Sequence, residues 1–187
     1  DKITGRLKFC SDYYFENQVY GKLVFAEYPH AKLVDIDVDT CMALPGVQYV
    51  QCYKTTPITM VGPLQKDMPI IAYGKVRHVG EVVAIVYADT QEQAEYAASR
   101  LKVTYELLQN VLSVEQARIS GAPLVHEDCD GNVSVRCTIR KGDVDTAFRD
   151  AAAVVQGEYY SQRIEHNYIE TECSTAVPND RGGVDIY

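Results

Sequence analysis

Alternation of apolar and polar positions first becomes regular at Gly21. Leu23, Phe25 and Glu27 interleave with Val24 and Ala26, Pro29-His30 interrupts the run, and Leu33 to Val38 forms a second apolar stretch. The pattern predicts a hairpin over residues 21–39. Asp39 or Thr40 is placed to cap a short helix through Leu44, which Pro45-Gly46 would stop, and Val47 to Tyr53 reads as a strand. Residues 54–69 hold Pro57, Gly62, Pro63 and Pro69 without a period. This predicts a long irregular loop, either functional or a plain surface excursion.

The strongest signal lies at Val82 to Ala88, a continuous β-branched apolar run expected of a central strand buried on both faces. Asp89-Thr90 would cap a helix over 91–101 whose Ala94, Ala97, Ala98 and Leu101 share one face, with Glu92, Glu95 and Arg100 in water. Leu101 to Tyr105 then returns as a strand, so 82–105 is expected to form a β-α-β unit. Ser113 to Gln116 fits a capping box for one short helix. Residues 119–141 are loop-rich, a helix is predicted over 143–152, and strands over 153–161 and 166–177. The chain opens at Asp1 without a methionine and stops in an apolar alternation after Gly182-Gly183. A strand ending there is expected to lack its partner, as in a fragment.

Composition narrows the classes. The 187 residues are 47% hydrophobic and 24% charged, with a formal net charge of −8 and a pI near 5.0. Those proportions fit a globular domain and not a disordered chain. Nucleic-acid binding needs a basic face, and no Lys/Arg cluster exists to supply it, so no nucleic-acid partner is expected. No apolar run approaches the roughly 20 residues of a membrane span, and no signal segment opens the chain. No membrane partner is expected, and the cytoplasm is the expected compartment. Cys10, Cys41, Cys52, Cys129, Cys137 and Cys173 show no paired-ligand spacing. They are expected to be buried, reduced thiols, with neither a metal centre nor a disulfide framework.

Two constellations carry potential chemistry. His166, Glu170 and Glu172 would share one face of a strand, but that span stretches to roughly 20 Å at ~3.3 Å per residue, too far for one ion. A hydrogen-bonded structural role is the alternative. His78-Val79-Gly80-Glu81 could form a His–Glu pair at a strand entrance. The alternative there is a glycine turn in which Glu81 bonds backbone or Arg77. No nucleotide-binding, nucleophile-elbow or zinc-protease motif occurs. The residues alone describe a soluble α+β domain.

Read together, several segments resemble the molybdopterin-binding (large) subunit of the xanthine dehydrogenase and aldehyde oxidase family. They are Lys2 to Arg6 with Phe9 and Asp12, Tyr28 to Lys32, Ile36-Asp37, and Ala43 to Val47. Val79 to Ala84, Val86 to Thr90, Ala94, Ala97-Ala98 and Val103 to Glu106 continue the match. Gly142 to Val144, Phe148, His166 to Glu170 and Ala176 complete it. The resemblance implies an α+β fold: an α/β hammerhead domain with a mixed β-sheet and packed helices over 1–120, a linker over 121–141, and the incomplete start of the molybdopterin-binding domain over 142–187. It implies a parent oxidoreductase that hydroxylates a purine, another N-heterocycle or an aldehyde, using molybdenum–molybdopterin, with 2Fe-2S clusters and FAD on other domains or subunits.

The family's cofactor-contacting glutamine, glycine-rich cofactor segment and catalytic glutamates and arginines would lie beyond Tyr187. No catalytic, cofactor-binding or metal residue is therefore assigned in this chain, and no cofactor is expected on it alone. Its implied role is structural, packing on the cofactor region, with residues 50–64 lining part of a substrate funnel. Implied partners are the remainder of the molybdopterin-binding subunit and the iron–sulfur and FAD domains or subunits. Self-association through 153–187 is a further expectation. The rival readings are a stand-alone scaffold subunit and a carrier-like module; the carrier's Met-Lys-Met or Asp-Lys-Ala hairpin does not occur.

Overall fold

A computed structural model describes residues 1–63, 65–168 and 172–187. Residues 15–133 form one compact unit, and residues 1–14 with 134–187 form another. In the first unit the elements run β1 (Tyr20–Phe25), β2 (Ala31–Ile36), α1 (Val38–Met42), β3 (Val47–Cys52), β4 (Met60–Val61), β5 (Met68–Pro69), β6 (Lys75–Val76), β7 (Val82–Ala88), α2 (Gln91–Arg100), β8 (Val103–Leu107) and α3 (Val114–Ala117). The second unit carries a 3-10 turn at Cys10–Asp12, α4 (Val144–Asp150), β9 (Ala176–Pro178) and β10 (Val184–Ile186). Among the described residues, no helix is long and apolar enough to cross a membrane.

The apolar run at 82–88 is the central strand of the sheet β1–β7–β3. Its residues feed two cores. Ala84 and Val86 join Val50, Cys52, Ile36 and Ala97, while Val83 packs with Ala26, Ala31, Ala72 and Val76. α2 covers β1 and β7. Thr90 caps it through a capping box in which its hydroxyl accepts from the Gln93 amide and Gln93 Oε1 accepts from the Thr90 amide. Ala94 and Ala97 are buried to 1% exposure, Ala98 is half-buried, and Leu101 closes the helix at its C-cap. Small side chains allow the helix axis to lie close to the sheet.

Strand pairing differs from the sequence expectation in two places. The predicted hairpin is not formed: β1 pairs antiparallel with β7, and β2 pairs with β6 and β8 in a second sheet. The connecting residues are claimed from both sides, since the Ala26 amide donates to the Glu81 carbonyl (2.8 Å) and the Leu108 amide to the His30 carbonyl (3.1 Å). The β-α-β unit is not formed either. Both edges of β7 are already occupied, so the chain leaving α2 runs as β8 antiparallel to β2, with Ile36 opposite Val103 and Ala31 opposite Leu107.

Smaller corrections share a cause in local geometry. Asp37, not Asp39 or Thr40, caps α1 by accepting from the Thr40 amide (3.2 Å). Gly46 ends that corner at φ +79°, a left-handed conformation that favours glycine. Residues 54–69 are not wholly irregular, because Met60-Val61 and Met68-Pro69 pair as β4 and β5. Residues 153–161 form no strand. They alternate in sequence but bond to no neighbouring edge, and Val155 and Tyr159 are more than 90% exposed. Of 166–177, only the end enters β9; residues 169–171 lie outside the described residues. The 184–186 strand does have a partner, as Val184 opposes Pro178 and Ile186 opposes Ala176. Cys41 and Cys52 are buried as expected, whereas Cys129, Cys137 and Cys173 are exposed.

The α2 seam yields a graded test. Ala97→Glu forces a carboxylate into the core and is expected to cost about 3 kcal/mol or more, with Ala98→Glu costing less. Denaturant melts of the two variants measure this order; equal, small losses would show that α2 packs through another face.

Candidate functional site

The turn from β6 to β7 is built around two side chains that hydrophobic patterning would not bury. Lys75 and Glu81 are each 7% exposed. Glu81 Oε2 accepts from the Arg77 amide (2.6 Å), and its Oε1 lies 3.9 Å from Arg77 Nη1. This closes the five-residue turn 77–81, which Gly80 enables at φ +86°. The His78 side chain does not join Glu81, although the His78 carbonyl accepts from the Glu81 amide (3.4 Å). It is exposed, and its Nδ1 lies 3.0 Å from the Val79 carbonyl. The structure thus brings the Glu81 carboxylate to Arg77, not to the imidazole.

The same turn grips residues 123–127. Lys75 Nζ donates to the Leu124 carbonyl (3.0 Å) and pairs with Glu127 Oε1 (2.6 Å), while Arg77 Nε donates to the Val125 carbonyl (3.2 Å). Asn132 completes the clasp: its Oδ1 accepts from the Val125 amide and its Nδ2 donates to the Pro123 carbonyl, both at 2.9 Å. Side chains here do for an irregular segment what a ladder does for a strand. Beside the clasp lies an open pocket of about 480 Å³, lined by Met68, Ile70, Arg77, Glu81 and His126 among others. Sequence patterning does not pick out Lys75, Glu127 or Asn132. The one available signal is a lysine set between Tyr73-Gly74 and Val76 in an otherwise apolar approach to the central strand.

The stretch expected to line a funnel is ordered at its start by Thr55. The Thr55 hydroxyl donates to the Val50 carbonyl (2.7 Å) and accepts from the Cys52 amide (2.9 Å), and Tyr49 donates to the Thr55 carbonyl (2.7 Å). Lys54 pairs with Asp35 and donates to the Ile36 carbonyl (2.8 Å). The Lys54 ammonium beside Asp35 holds that carboxyl below its ordinary value. The cavity bounded by Tyr53, Thr56, Pro57, Ile58 and Ile70 holds only about 60 Å³, room for about two waters at roughly 30 Å³ each. Leu64 lies outside the described residues.

The histidine of the other constellation, His166, is exposed, with its ring stacked on Tyr168 at 5.3 Å. Asn167 sits at φ +54°, which breaks the extended backbone needed to put 166 and 168 on a common strand face. Glu170 falls outside the described residues, and among those described no three His, Cys, Asp or Glu side chains are grouped to hold a metal ion.

Two family models match the chain in series. The aldehyde oxidase and xanthine dehydrogenase a/b hammerhead domain matches residues 4–109, and the molybdopterin cofactor-binding domain matches 125–187. The chain belongs to the aldehyde oxidase and xanthine dehydrogenase family. Within that family it is 36% identical over 187 residues to a probable xanthine dehydrogenase subunit of Bacillus subtilis, covering all of this chain and 25% of that protein. It is 30% identical to the nicotinate dehydrogenase large molybdopterin subunit of Eubacterium barkeri, over 97% of this chain and 43% of that one. The crystal structure of the aldehyde oxidoreductase from Desulfovibrio desulfuricans superposes with a TM-score of 0.86 at 30% identity, over 99% of this chain and 22% of that one. This chain therefore spans well under half the length of these family members. In family terms, the clasp grips residues 124 and 125, where the cofactor-binding match begins.

The clasp has a pH signature. The hydrogen bond from Lys75 holds the Glu127 carboxyl below the ordinary glutamate range. A lowered folded-state pKa adds stability above the unfolded value, about 4.3, and loses it as pH falls through the folded one. Amide exchange at residues 123–127 is expected to accelerate as pH falls below that unfolded value, after correction for intrinsic rates. Glu127→Gln should flatten the response; an unchanged profile in that variant would assign the effect to another group.

Proposed function

We propose that this chain is the opening part of the molybdopterin-binding subunit of a xanthine dehydrogenase-like hydroxylase that oxidises a purine, another N-heterocycle or an aldehyde. Residues 1–120 act as the hammerhead domain, 121–141 as a linker whose first part is clasped onto β6, and 142–187 as the start of the cofactor-binding domain. The observation that carries this reading is the serial match of hammerhead and cofactor-binding models along one continuous chain. The relatives named above, one from a xanthine dehydrogenase and one from a nicotinate dehydrogenase, support the substrate class.

The parent enzyme would draw on molybdenum–molybdopterin for oxidative hydroxylation and pass electrons to iron–sulfur and FAD domains or subunits. Among the described residues no three His, Cys, Asp or Glu side chains converge. No catalytic step is assigned to them. Their work is positional. β7 and α2 provide a rigid block, Lys75 and Arg77 fasten residues 124 and 125 to it, and residues 50–64 would line part of the substrate funnel in the assembled subunit.

Purified alone, the chain is expected to carry no stoichiometric molybdenum by elemental analysis and to leave hypoxanthine, nicotinate and aldehydes unchanged. Supplied with the remainder of the subunit and its redox partners, it should support hydroxylation with oxygen drawn from labelled water. Stoichiometric metal or turnover in the isolated chain would overturn the structural role.

The exposed apolar residues Val154, Val155, Tyr159, Tyr160 and Ile164 are the part of the proposed cofactor domain that needs covering. In the isolated chain a second copy would serve. Sedimentation should show concentration-dependent association that is lost on truncation after Lys141, with the 15–133 unit still folded by circular dichroism. A strict monomer with strong amide protection across 172–187 would contradict this.

A further inference from the structure

The sheet β1–β7–β3 has two faces, and they are covered unequally. Ala84 and Val86 of β7 enter the main core with Ala97 of α2, and Lys22 of β1 turns the same way to pair with Glu95 of α2 (3.1 Å). Side chains alternate along a strand, so the opposite face carries Val83, Ile85 and Tyr87 of β7. The register sets Leu23 opposite Ile85 and Gly21 opposite Tyr87 on one side, and Gln51 opposite Ile85 and Tyr49 opposite Tyr87 on the other. At one end of this face Val83 is buried against Ala26, Ala72 and Val76. The rest is bare. Leu23 is 43% exposed and Tyr49 41%, and Ile85, Tyr87 and Gln51 are half-buried.

The bare patch has the make-up of an interface centre. Its side chains carry no charge in a chain that is 24% charged, and charge depletion with tyrosine enrichment marks the middle of protein interfaces. Its aromatic rings are already held in place. Tyr49 stacks with Tyr87 at 6.4 Å between centroids, the Tyr87 hydroxyl donates to Gln51 Oε1 (2.9 Å), and the Tyr49 hydroxyl donates to the Thr55 carbonyl (2.7 Å). Covering these rings strands no hydroxyl and orders little that is not ordered already. Gly21 leaves room for the Tyr87 ring to lie along the sheet, since a Cβ there would stand 3.0 Å from Tyr87 Cε1.

We propose that this patch docks the remainder of the molybdopterin-binding subunit, through an apolar, uncharged surface of that part. The inference rests on the function proposed above and adds the face by which the 15–133 unit is held. Two observations select the occupant. The chain superposes on the aldehyde oxidoreductase named above over 99% of itself but only 22% of that protein, so most of the relative's polypeptide lies outside the matched fold and is available to cover it. The patch is also small. Separate proteins that bind each other stably use roughly 20–30 residues a side, far more than the few side chains here offer to a second copy. A surface joined covalently to this chain docks intramolecularly, at high effective concentration, and a small apolar patch is then enough.

The test compares this chain alone with the complete subunit that contains it, each treated with tetranitromethane and mapped by mass spectrometry. Nitration of Tyr49 is expected to be about tenfold or more slower in the complete subunit, where its ring is covered. Leu23→Glu sets a charge in the patch, and Gln51→Glu adds one while keeping an acceptor for the Tyr87 hydroxyl. Each should leave the melting temperature of the isolated chain within about 2 °C, yet lower that of the complete subunit by about 5 °C and restore Tyr49 nitration there. The footprint of the unsubstituted subunit decides the matter even if a variant misfolds. Equal nitration of Tyr49 in both forms overturns the proposal, as does a complete subunit indifferent to both added charges. Tyr49 protection that grows with the concentration of the isolated chain also overturns it, by giving the face to a second copy. A complete subunit that takes up no molybdenum in a host supplying the cofactor overturns the proposed function instead, and the Tyr49 footprint still decides the docking face.

Discussion

An apolar strand buried on both faces has no water for its amides and carbonyls, so both of its edges must be paired within the protein. β7 is that strand, and the layout of the 15–133 unit follows from satisfying it. β1 and β3 take its two edges, α2 covers one face with alanines, and Val83 on the other face meets Ala26, Ala72 and Val76. With both edges used, β7 cannot take the strand after α2 as a neighbour. That strand pairs with β2 instead, in the second sheet β6–β2–β8. Leu33 and Ile36 of β2 then share a core with Val50, Ala84 and Val86, which joins the two sheets.

Among the described residues, buried charge sits where backbone groups or an opposite charge meet it. An isolated lysine or glutamate in an apolar site would cost several kcal/mol, yet Lys75 and Glu81 are both 7% exposed. Each is answered. Glu81 receives the Arg77 amide, and Lys75 gives hydrogen bonds to the Leu124 carbonyl and Glu127. Replacing one member would strand its partner, so the group is held as a set. The set fastens residues 124 and 125 to Lys75 and Arg77, and the family's cofactor-binding match begins at residue 125.

What the sequence made legible was local. The β-branched run at 82–88, the Thr90 cap, the alanine face of α2, the Gly46 corner and the Glu81–Arg77 turn all depend on residues within a few positions of one another. The family could also be read, because its many weak matches keep their order along the chain. Pairing partners could not be read. Period-two alternation states that Leu23 and Leu33 lie on strands, not which edge each will meet, and the edge was decided by β7 and by β8. The clasp joins Lys75 to Leu124 and Arg77 to Val125, contacts across about 50 residues that no local spacing encodes. At 153–161 the failure ran the other way, since alternation was present and no edge was offered to it.

The pairing of β2 with β8 also sets an order of events. The sheet β1–β7–β3 can close once Ala88 has been made, but β2 lies early in the chain and waits for residues as late as Leu107. Contacts of such long separation are slow to form and leave strand edges open meanwhile. On the ribosome, β2 is therefore the exposed edge of an unfinished protein, with only the two-residue β6 available to shield it. Loss of β8 would do more than trim the domain, because it would leave that nascent edge open in the mature chain as well.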